Sequence, residues 1–414
     1  MAKLQPVRGT RDLLPEDVRR HRHVVETARK IAGRYGFDEI SPPIIEFSEV
    51  FRRTLGDTSD IVTKEMYTFT DRSGEEITLR PEATAGIARA FISGGLSQQL
   101  PLKYFCSGPM FRYERPQKGR LRQFHQVDVE ILGVAEALAD IEIVALASQF
   151  LGALGVQQRT TLELNSLGDT ASRDAYRNVL IEYFDQRRDA LSEDSRQRLA
   201  RNPLRILDSK DEGDIRLVAE APTFSDHLTK EVVAYFAEVR DGLDALGIAY
   251  VINPHLVRGL DYYCHTAFEF TTEALGAQGA VIAGGRYDGL VESMGGPPTP
   301  GTGWAAGVER LAMLIDAPPP PPRPAALVPL GEAAERRAMI LAHSLRAEGF
   351  VVELGYRGNL SRRLKRADRL GARVAVLIGD DELAREAATV RDLDTGEQVE
   401  VPLARLADHL AAFR

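Results

Sequence analysis

Residues 105–131 have the sequence FCSGPMFRYERPQKGRLRQFHQVDVEI, and this stretch decides how the rest of the chain is interpreted. Apolar residues stand at both ends, and the basic middle contains a single acid, Glu114. Pro116 and Gly119 lie in that middle and are typical of a turn. The pattern predicts two strands joined by a basic loop.

On the second predicted strand, alternate residues share one face of the sheet, which is polar apart from its first member: Phe124, Gln126, Asp128 and Glu130. Such a face is costly to bury without a ligand. The arginines of the stretch can clamp phosphate, Glu114 can accept a hydrogen bond from an amino group, and Phe124 can stack on a base. Those are the parts of an ATP site. The alternative is a surface hairpin whose charges are solvated.

Composition indicates an ordinary soluble protein of two or three domains, with 414 residues, 44% of them hydrophobic and 27% charged. The net charge of −8 means that a polyanionic partner must be bound by local basic patches. Two distant cysteines, Cys106 and Cys264, provide no disulfide framework. The chain shows no signal pattern and no apolar run of membrane-spanning length, so we expect a cytoplasmic protein without membrane partners.

Changes in pattern along the chain predict its organisation. Residues 37–47 form a strand interrupted by two prolines, which is tolerated where pairing is interrupted, as at a subunit interface. Residues 170–247 are predicted to be a helical insertion, after which strands resume, and residues 303–315 are predicted to be a helix. The proline run at 318–322 favours an extended connector, and short strands then alternate with helices.

Several smaller motifs each allow two interpretations. Glu82 and Thr84 either start a helix or bind a substrate ammonium group. Arg258 lies beside a glycine among apolar residues, and either pairs with an internal carboxylate or binds an anion. Glu309 and Arg310 are by default a surface ion pair. Near the C-terminus a basic helical stretch is either a solvated face or an RNA-backbone contact: Arg362, Arg363, Lys365, Arg366, Arg369 and Arg373.

Nucleotide and metal signatures of other families are absent from the sequence. There is no P-loop, and the glycines after Gly301 miss the dinucleotide spacing. The eight histidines show no paired spacing that would indicate zinc. We therefore assign no metal ligands, and expect only Mg²⁺ that arrives with phosphate.

Together these stretches resemble the histidyl branch of the class II aminoacyl-tRNA synthetases. Residues 37–55, 105–131 and 301–311 are similar to class II motifs 1, 2 and 3. Residues 256–263 and 283–290 resemble the two histidine-specific signatures. The resemblance implies an α+β fold, in which a catalytic domain over residues 1–325 has an antiparallel sheet flanked by helices and carries the helical insertion. It also implies an α/β anticodon-binding domain over residues 326–414, and a homodimer built on motif 1.

The resemblance further implies a two-step reaction, in which L-histidine attacks ATP to give histidyl-adenylate and tRNA(His) then takes the histidyl group. It assigns catalysis to Arg258 and Arg112. It assigns histidine binding to Glu82, Ala83, Thr84, Gln126, Glu130, Arg258, Tyr262, Tyr263 and Tyr287. ATP binding falls to Arg112, Glu114, Arg122, Phe124 and Arg310, and the tRNA acceptor end to Arg115, Gln117, Lys118 and Arg120.

Two other functions stay in view. The first is a catalytically inactive paralogue without aminoacylation activity, similar to the regulatory subunit of ATP phosphoribosyltransferase. That family shares this core and binds histidine as a signal, but it lacks the anticodon-binding domain and the Arg258 signature. The second, a plain RNA-binding protein, does not explain Glu82 and Glu130.

One departure from the resemblance is Ala83, where many family members carry glycine.

Overall fold

The computed structural model describes residues 3–55, 59, 61–258, 260, 262–276 and 279–413. Contacts divide the chain into two compact units, one ending at Pro318 and one beginning at Pro319. The division therefore falls inside the proline run. Within the described ranges, no helix combines the length and the apolar character needed to cross a membrane.

The first unit is built on a large, mostly antiparallel sheet. The strands of this unit, which belong to two sheets, are β1 (Asp38–Glu39), β2 (Ile45–Phe47), β3 (Tyr67–Thr70), β4 (Glu76–Leu79), β5 (Leu102–Phe111), β6 (Gln123–Leu132), β7 (Thr161–Ser166), β8 (Val251–Ile252), β9 (Cys264–Thr271), β10 (Ala280–Arg286) and β11 (Gly301–Gly307). Eight of them form one sheet in the order β1-β5-β6-β11-β10-β9-β7-β8, and only the outer pairs β1–β5 and β7–β8 are parallel. Strands β2, β4 and β3 form a separate small sheet.

Helices pack against the sheets of this unit and form the insertion. They are α1 (Pro15–Arg34), α2 (Ser48–Leu55), α3 (Thr84–Ser93), α4 (Ala137–Ala153), α5 (Thr170–Asp185), α6 (Glu193–Arg201), α7 (Glu212–Ala219), α8 (Lys230–Ala245), α9 (Leu290–Ser293) and α10 (Val308–Leu314). Helix α4 is apolar on nearly all sides because it is buried against the sheet, where Phe150 stacks on Trp304. Residues 170–247, all of them described, contain helices and turns but no strand.

The division of β6 into two faces follows its sequence. Val127, Val129 and Ile131 belong to the apolar core shared with α1 and α4. The alternate residues, which include Gln126 and Glu130, lie on the other face. The predicted hairpin is confirmed, since β5 pairs with β6 over ten residues from Leu102↔Leu132 to Phe111↔Gln123. The predicted antiparallel sheet with flanking helices is likewise confirmed.

Two predicted elements are wrong in their bounds. The helix predicted over residues 303–315 begins only at Val308, because residues 301–307 form the strand β11 between β6 and β10. The single strand predicted over residues 37–47 is split: β1 joins the large sheet, whereas β2 joins the small one. The two prolines lie between β1 and β2, where neither is required to donate to a strand ladder.

The second unit is a small α/β domain. Its strands are β12 (Ala325–Pro329), β13 (Val352–Leu354), β14 (Val374–Ile378), β15 (Ala387–Asp392) and β16 (Gln398–Pro402), arranged β13-β12-β14-β15-β16. Its helices are α11 (Glu332–Ala347), α12 (Leu360–Arg369), α13 (Asp380–Ala384) and α14 (Leu406–Ala411). On α12, Arg363 is buried and pairs with Glu335 at 2.6 Å. Its basic neighbours Arg362, Arg366 and Arg369 line an open depression.

Candidate active site

A cavity of about 570 Å³ opens on the polar face of the large sheet in the first unit. Its floor includes residues of β6, β9, β10 and β11, and its walls come from the start of α3, the basic loop and residues 253–263. Stretches far apart in the sequence therefore meet at one place. Most of the residues assigned to histidine and ATP line this cavity or contact a residue that does.

Glu130 lies at the inner end of the site, where it is buried and bonded on both oxygens. Thr84 Oγ1 donates to Glu130 Oε1 at 2.5 Å, and the Tyr287 hydroxyl donates to Oε2. Burial raises the pKa of Glu130 to about 8, although both hydrogen bonds act to lower it. A carboxyl with such a pKa can accept a hydrogen bond from an imidazole N–H when it is ionised, or donate one to an imidazole nitrogen when it is protonated.

Next to Glu130, the same face of β6 carries polar atoms without partners. Gln126 Oε1 and both carboxyl oxygens of Asp128 are buried, and no described residue bonds to them. Burial raises the pKa of Asp128 well above its usual range, and the nearby Glu130 and Glu82 raise it further. The sequence pointed to Asp128 only as a member of this face. In the structure, Asp128 of β6 pairs with Cys106 of β5.

Glu82 and Thr84 begin helix α3 and also belong to the site. Glu82 accepts from the backbone N–H of Thr84 at 2.7 Å and from that of Ala85 at 2.9 Å. The helix-start interpretation is thus correct, and both side chains line the cavity as well. Burial raises the pKa of Glu82. Ala83 is buried between them.

Three tyrosines form an aromatic cluster beside Glu130. The Tyr262 and Tyr263 ring centroids are 4.6 Å apart, and those of Tyr262 and Tyr287 are 5.7 Å apart in a T-shaped arrangement. Tyr262 and Tyr263 line the cavity, whereas Tyr287 reaches the site through its bond to Glu130. Of the predicted signature that contains the first two, Gly259 and Asp261 lie outside the described residues.

Glycines of β11 make room for this pocket, a role that sequence reasoning missed. A Cβ on Gly303 would lie 1.7 Å from Glu130 Oε2, and one on Gly301 would lie 2.2 Å from Tyr287 Cε2. On the neighbouring strand, a Cβ on Gly284 would meet the Gly303 carbonyl oxygen at 2.3 Å. The absent side chains thus let Glu130 and Tyr287 lie directly over the sheet.

Arg258 forms an ion pair with Glu269 inside the cavity, so the internal-pair interpretation is correct. Its guanidinium carbon also lies 5.2 Å from the Tyr263 ring centroid. Burial acts to lower the pKa of Arg258, but the Glu269 carboxylate together with Tyr263 and Tyr262 outweighs it, and the pKa is raised. The buried Nε of Arg258 has no partner among the described side chains. Glu269 was not predicted from the sequence as a site residue. A glutamate between two phenylalanines on a strand could have indicated it.

Three guanidinium groups meet at the other end of the cavity. Arg112 donates from Nε to the Pro81 carbonyl at 2.9 Å, and its guanidinium carbon lies 5.4 Å from the Phe124 ring centroid. Arg310 donates to the carbonyls of Gly119 and Ala280. Burial lowers the pKa of Arg310, and the nearby charges of Arg120 and Arg112 lower it further. Cations held this close favour a bound polyanion.

The other residues of the basic loop are divided between the cavity and the outside. Glu114 lines the cavity and accepts from Arg120 Nη1 at 2.7 Å. Arg122 does not line it, since its guanidinium carbon stacks 3.7 Å from the Tyr113 ring centroid and its Nε donates to the Glu114 carbonyl. Residues of the loop tip are exposed, namely Arg115, Gln117 and Lys118.

Glu309 does not form the expected surface pair with Arg310. Its buried carboxylate accepts from the His125 backbone N–H, and its Oε1 lies 2.8 Å from His125 Nδ1. This contact joins helix α10 to strand β6. His21 of α1 packs edge-on against His125, with ring centroids 5.5 Å apart. The histidine spacing in the sequence gave no sign of this cluster because its members come from three distant segments.

Comparisons with known proteins agree with this arrangement. The histidyl-tRNA synthetase family profile matches residues 9–311, and an anticodon binding domain profile matches residues 325–412. Proteins named histidine–tRNA ligase from Rhodospirillum rubrum and Gluconacetobacter diazotrophicus are 63% and 59% identical over 414 and 413 residues, covering 100% of each chain. The apo histidyl-tRNA synthetase of S. aureus superposes with a TM-score of 0.83 at 34% identity, covering 99% of both chains. The chain therefore belongs to the histidyl-tRNA synthetase family.

Proposed function

We propose that this chain is a histidine–tRNA ligase, an enzyme that activates L-histidine with ATP and transfers it to the 3′ end of tRNA(His). The observation that carries the proposal is the shared cavity, in which buried carboxyls and tyrosines lie at one end and three guanidinium groups at the other. A small amino acid with an ammonium group and an imidazole ring is complementary to the first end, and a triphosphate to the second. The same cavity orients them for attack on the α-phosphate.

Histidine occupies the end lined by carboxyl groups in this proposal. Its ammonium binds near Glu82, Thr84 and the unpartnered Gln126 Oε1, and its imidazole binds Glu130 with Tyr263 nearby. Polar contacts to both ring nitrogens discriminate strongly against apolar amino acids, because such analogues leave buried polar groups unpaired. Tyr287 holds Glu130 in place from the opposite side.

ATP occupies the basic end. Arg112 and Arg310 bind phosphate oxygens, Phe124 stacks on adenine and Glu114 accepts from the adenine amino group. Mg²⁺ arrives with ATP as part of the substrate and neutralises further phosphate charge. Arg122 supports this arrangement from behind, through its bond to the Glu114 carbonyl and its stacking on Tyr113.

Arg258 lies between the two ends and is assigned the central catalytic role. Histidine binding brings a carboxylate that can take the place of Glu269 as the partner of Arg258. The guanidinium then bridges the histidine carboxylate and the α-phosphate, and stabilises the charge that develops on the phosphate oxygens as the carboxylate attacks. The products are histidyl-adenylate and pyrophosphate.

In the second step, the terminal ribose hydroxyl of tRNA(His) attacks the histidyl carbonyl and AMP leaves. The exposed loop residues Arg115, Gln117 and Lys118, with Arg120 at the cavity edge, contact the acceptor end. The helical insertion touches the acceptor arm, and the second unit binds the anticodon. The basic residues of α12 offer phosphate contacts there.

The proposal includes a homodimer and a cytoplasmic location. The small sheet exposes large apolar side chains that a second copy can cover, because Ile45, Phe47 and Phe69 are 49%, 56% and 45% exposed. Neither Cys106 nor Cys264 is in a disulfide, as suits a reducing compartment.

Exchange of labelled pyrophosphate into ATP tests the activation step. We expect exchange that depends on L-histidine and is not supported by the other standard amino acids, since only histidine satisfies both Glu130 and the tyrosine cluster. Exchange that proceeds equally with several amino acids would contradict the specificity. Absence of exchange together with histidine binding would instead favour the regulatory alternative.

A further inference from the structure

Three potential metal ligands gather on the far side of strand β6 from Gln126. They are His21 from α1, His125 from β6 and Glu309 from the first turn of α10. Each can offer one ligand atom, and these atoms lie within 4.8 Å of one another. His125 alternates with Gln126 along β6 and therefore faces away from the substrate floor.

His21 supplies the observation that singles out this cluster. The side chain is only 7% exposed, and its buried Nε2 finds no hydrogen-bond partner in the part of the chain that the structure describes. A buried polar atom left unpaired costs free energy that a ligand can recover. The His125–Glu309 contact, in contrast, is already satisfied at 2.8 Å and presents a ready pair of donor groups beside it.

The surrounding charges are mixed. Arg11, Asp17, Arg20 and Lys118 line the adjoining cavity of about 430 Å³, which also reaches His21 and Glu309. Arg20 donates to the carbonyls of Ala312 and Ile315, so part of its hydrogen-bonding capacity is already used. Burial lowers the pKa of His21, and the nearby Glu309 carboxylate acts against this.

We propose that His21, His125 and Glu309 bind one divalent transition-metal ion of the zinc class. Two imidazole nitrogens and one carboxylate oxygen form a donor set that suits zinc, with a fourth position left for water from the adjoining cavity. Bonds of about 2 Å in a tetrahedral site place ligand atoms about 3.3 Å apart. Coordination therefore requires the side chains to rotate, so that the more distant ligand atoms move closer together and the 2.8 Å contact between His125 Nδ1 and Glu309 Oε1 lengthens.

The position of the site gives the ion a structural consequence. It links α1 to β6, which carries Phe124 and Gln126, and to α10, which carries Arg310. Bound metal replaces a single hydrogen bond with coordination from three elements, and so raises the melting temperature of the ligand-free chain. The substrates lie on the opposite face of β6 and do not compete for these ligands.

A second group of possible ligands serves as a comparison. Cys264, His265 and Asp288 also come within 4.8 Å of one another, but all three are partly exposed. Asp288 already pairs with Arg286 at 3.0 Å. His265 has a φ of 46°, a conformation that asparagine tolerates well. His265→Asn therefore removes a histidine from the second group without adding backbone strain.

The test is calorimetric titration of the full-length chain, stripped with chelator, with zinc chloride alone. We expect one high-affinity ion per chain in the wild type. His21→Asn is expected to weaken its binding by at least ~10-fold, and His265→Asn to leave it unchanged. Melting of the metal-free variants shows whether each has folded. The readout does not involve aminoacylation, so its outcome is independent of the proposed function.

Equal zinc affinity in the wild type and His21→Asn would overturn the proposal, as would a wild type that binds no zinc or a loss of binding only in His265→Asn. Should His21→Asn fail to fold, anomalous scattering from zinc-soaked wild-type crystals decides the question. A peak between His21, His125 and Glu309 supports the site, and zinc found only elsewhere refutes it.

Discussion

Arg258→Ala is expected to lower the rate of histidine-dependent pyrophosphate exchange by on the order of 10²-fold or more. In the proposed mechanism, Arg258 is the one cation that contacts both the histidine carboxylate and the α-phosphate. Its removal therefore takes stabilisation from the transition state that no neighbour replaces. The measurement is the exchange rate at saturating histidine and ATP, where weakened substrate binding does not contribute. Near-normal turnover would contradict the assigned role.

The contact between Arg258 and Glu269 determines the control for this experiment. Alanine at 258 leaves the Glu269 carboxylate, which is 21% exposed, without its cation, and this is expected to lower the stability of the fold. The double variant Arg258→Ala/Glu269→Gln removes the stranded charge and is expected to melt closer to the wild type. Its exchange rate should stay as low as that of the single variant. Recovery of exchange in the double variant would show that the loss came from folding.

Arg112→Ala is expected to reduce exchange by roughly 10²- to 10³-fold, the effect typical of losing one preorganised donor to a developing charge. Arg112 stacks near Phe124 and converges with Arg120 and Arg310 on one region of the cavity. Both the KM for ATP and kcat should change, because the residue binds phosphate before and during reaction.

Arg112→Lys is the matched variant for that prediction. Lysine keeps the positive charge but lacks the planar fork and the Nε–H that donates to the Pro81 carbonyl. We expect an intermediate rate. A lysine variant as slow as the alanine one would mean that geometry matters more than charge. An alanine variant with unchanged KM and kcat would remove Arg112 from the ATP site.

The hairpin at the centre of the fold was predictable because its evidence is local. Residues 105–131 combine period-two alternation with turn residues and a dense basic loop, and β5 and β6 pair there as expected. The same alternation indicated that Gln126 and Glu130 share a face. The proline run at 318–322 likewise marks the place where the two compact units divide.

Contacts that depend on distant segments were not predictable in this way. Gly301 and Gly303 carry no side-chain pattern, so β11 was mistaken for the start of a helix. Their importance appears only when Tyr287 and Glu130 are seen to occupy the vacated space. Glu309 similarly seemed to be a surface residue, because its partner His125 lies 184 residues away.

For some residues, the two interpretations that the sequence left open proved compatible. Glu82 caps the start of α3 and also lines the cavity. Arg258 pairs with an internal carboxylate and also keeps its Nε available. Charged groups in a binding site can use local partners that a substrate replaces, so an internal pair does not argue against function.

A crystal structure with L-histidine and a non-hydrolysable ATP analogue would show where both substrates bind. We expect the imidazole beside Glu130 and Tyr263, with the triphosphate between Arg112 and Arg310 and the histidine carboxylate next to Arg258. Either ligand bound outside this cavity, or a histidine whose ring points away from Glu130, would contradict this expectation.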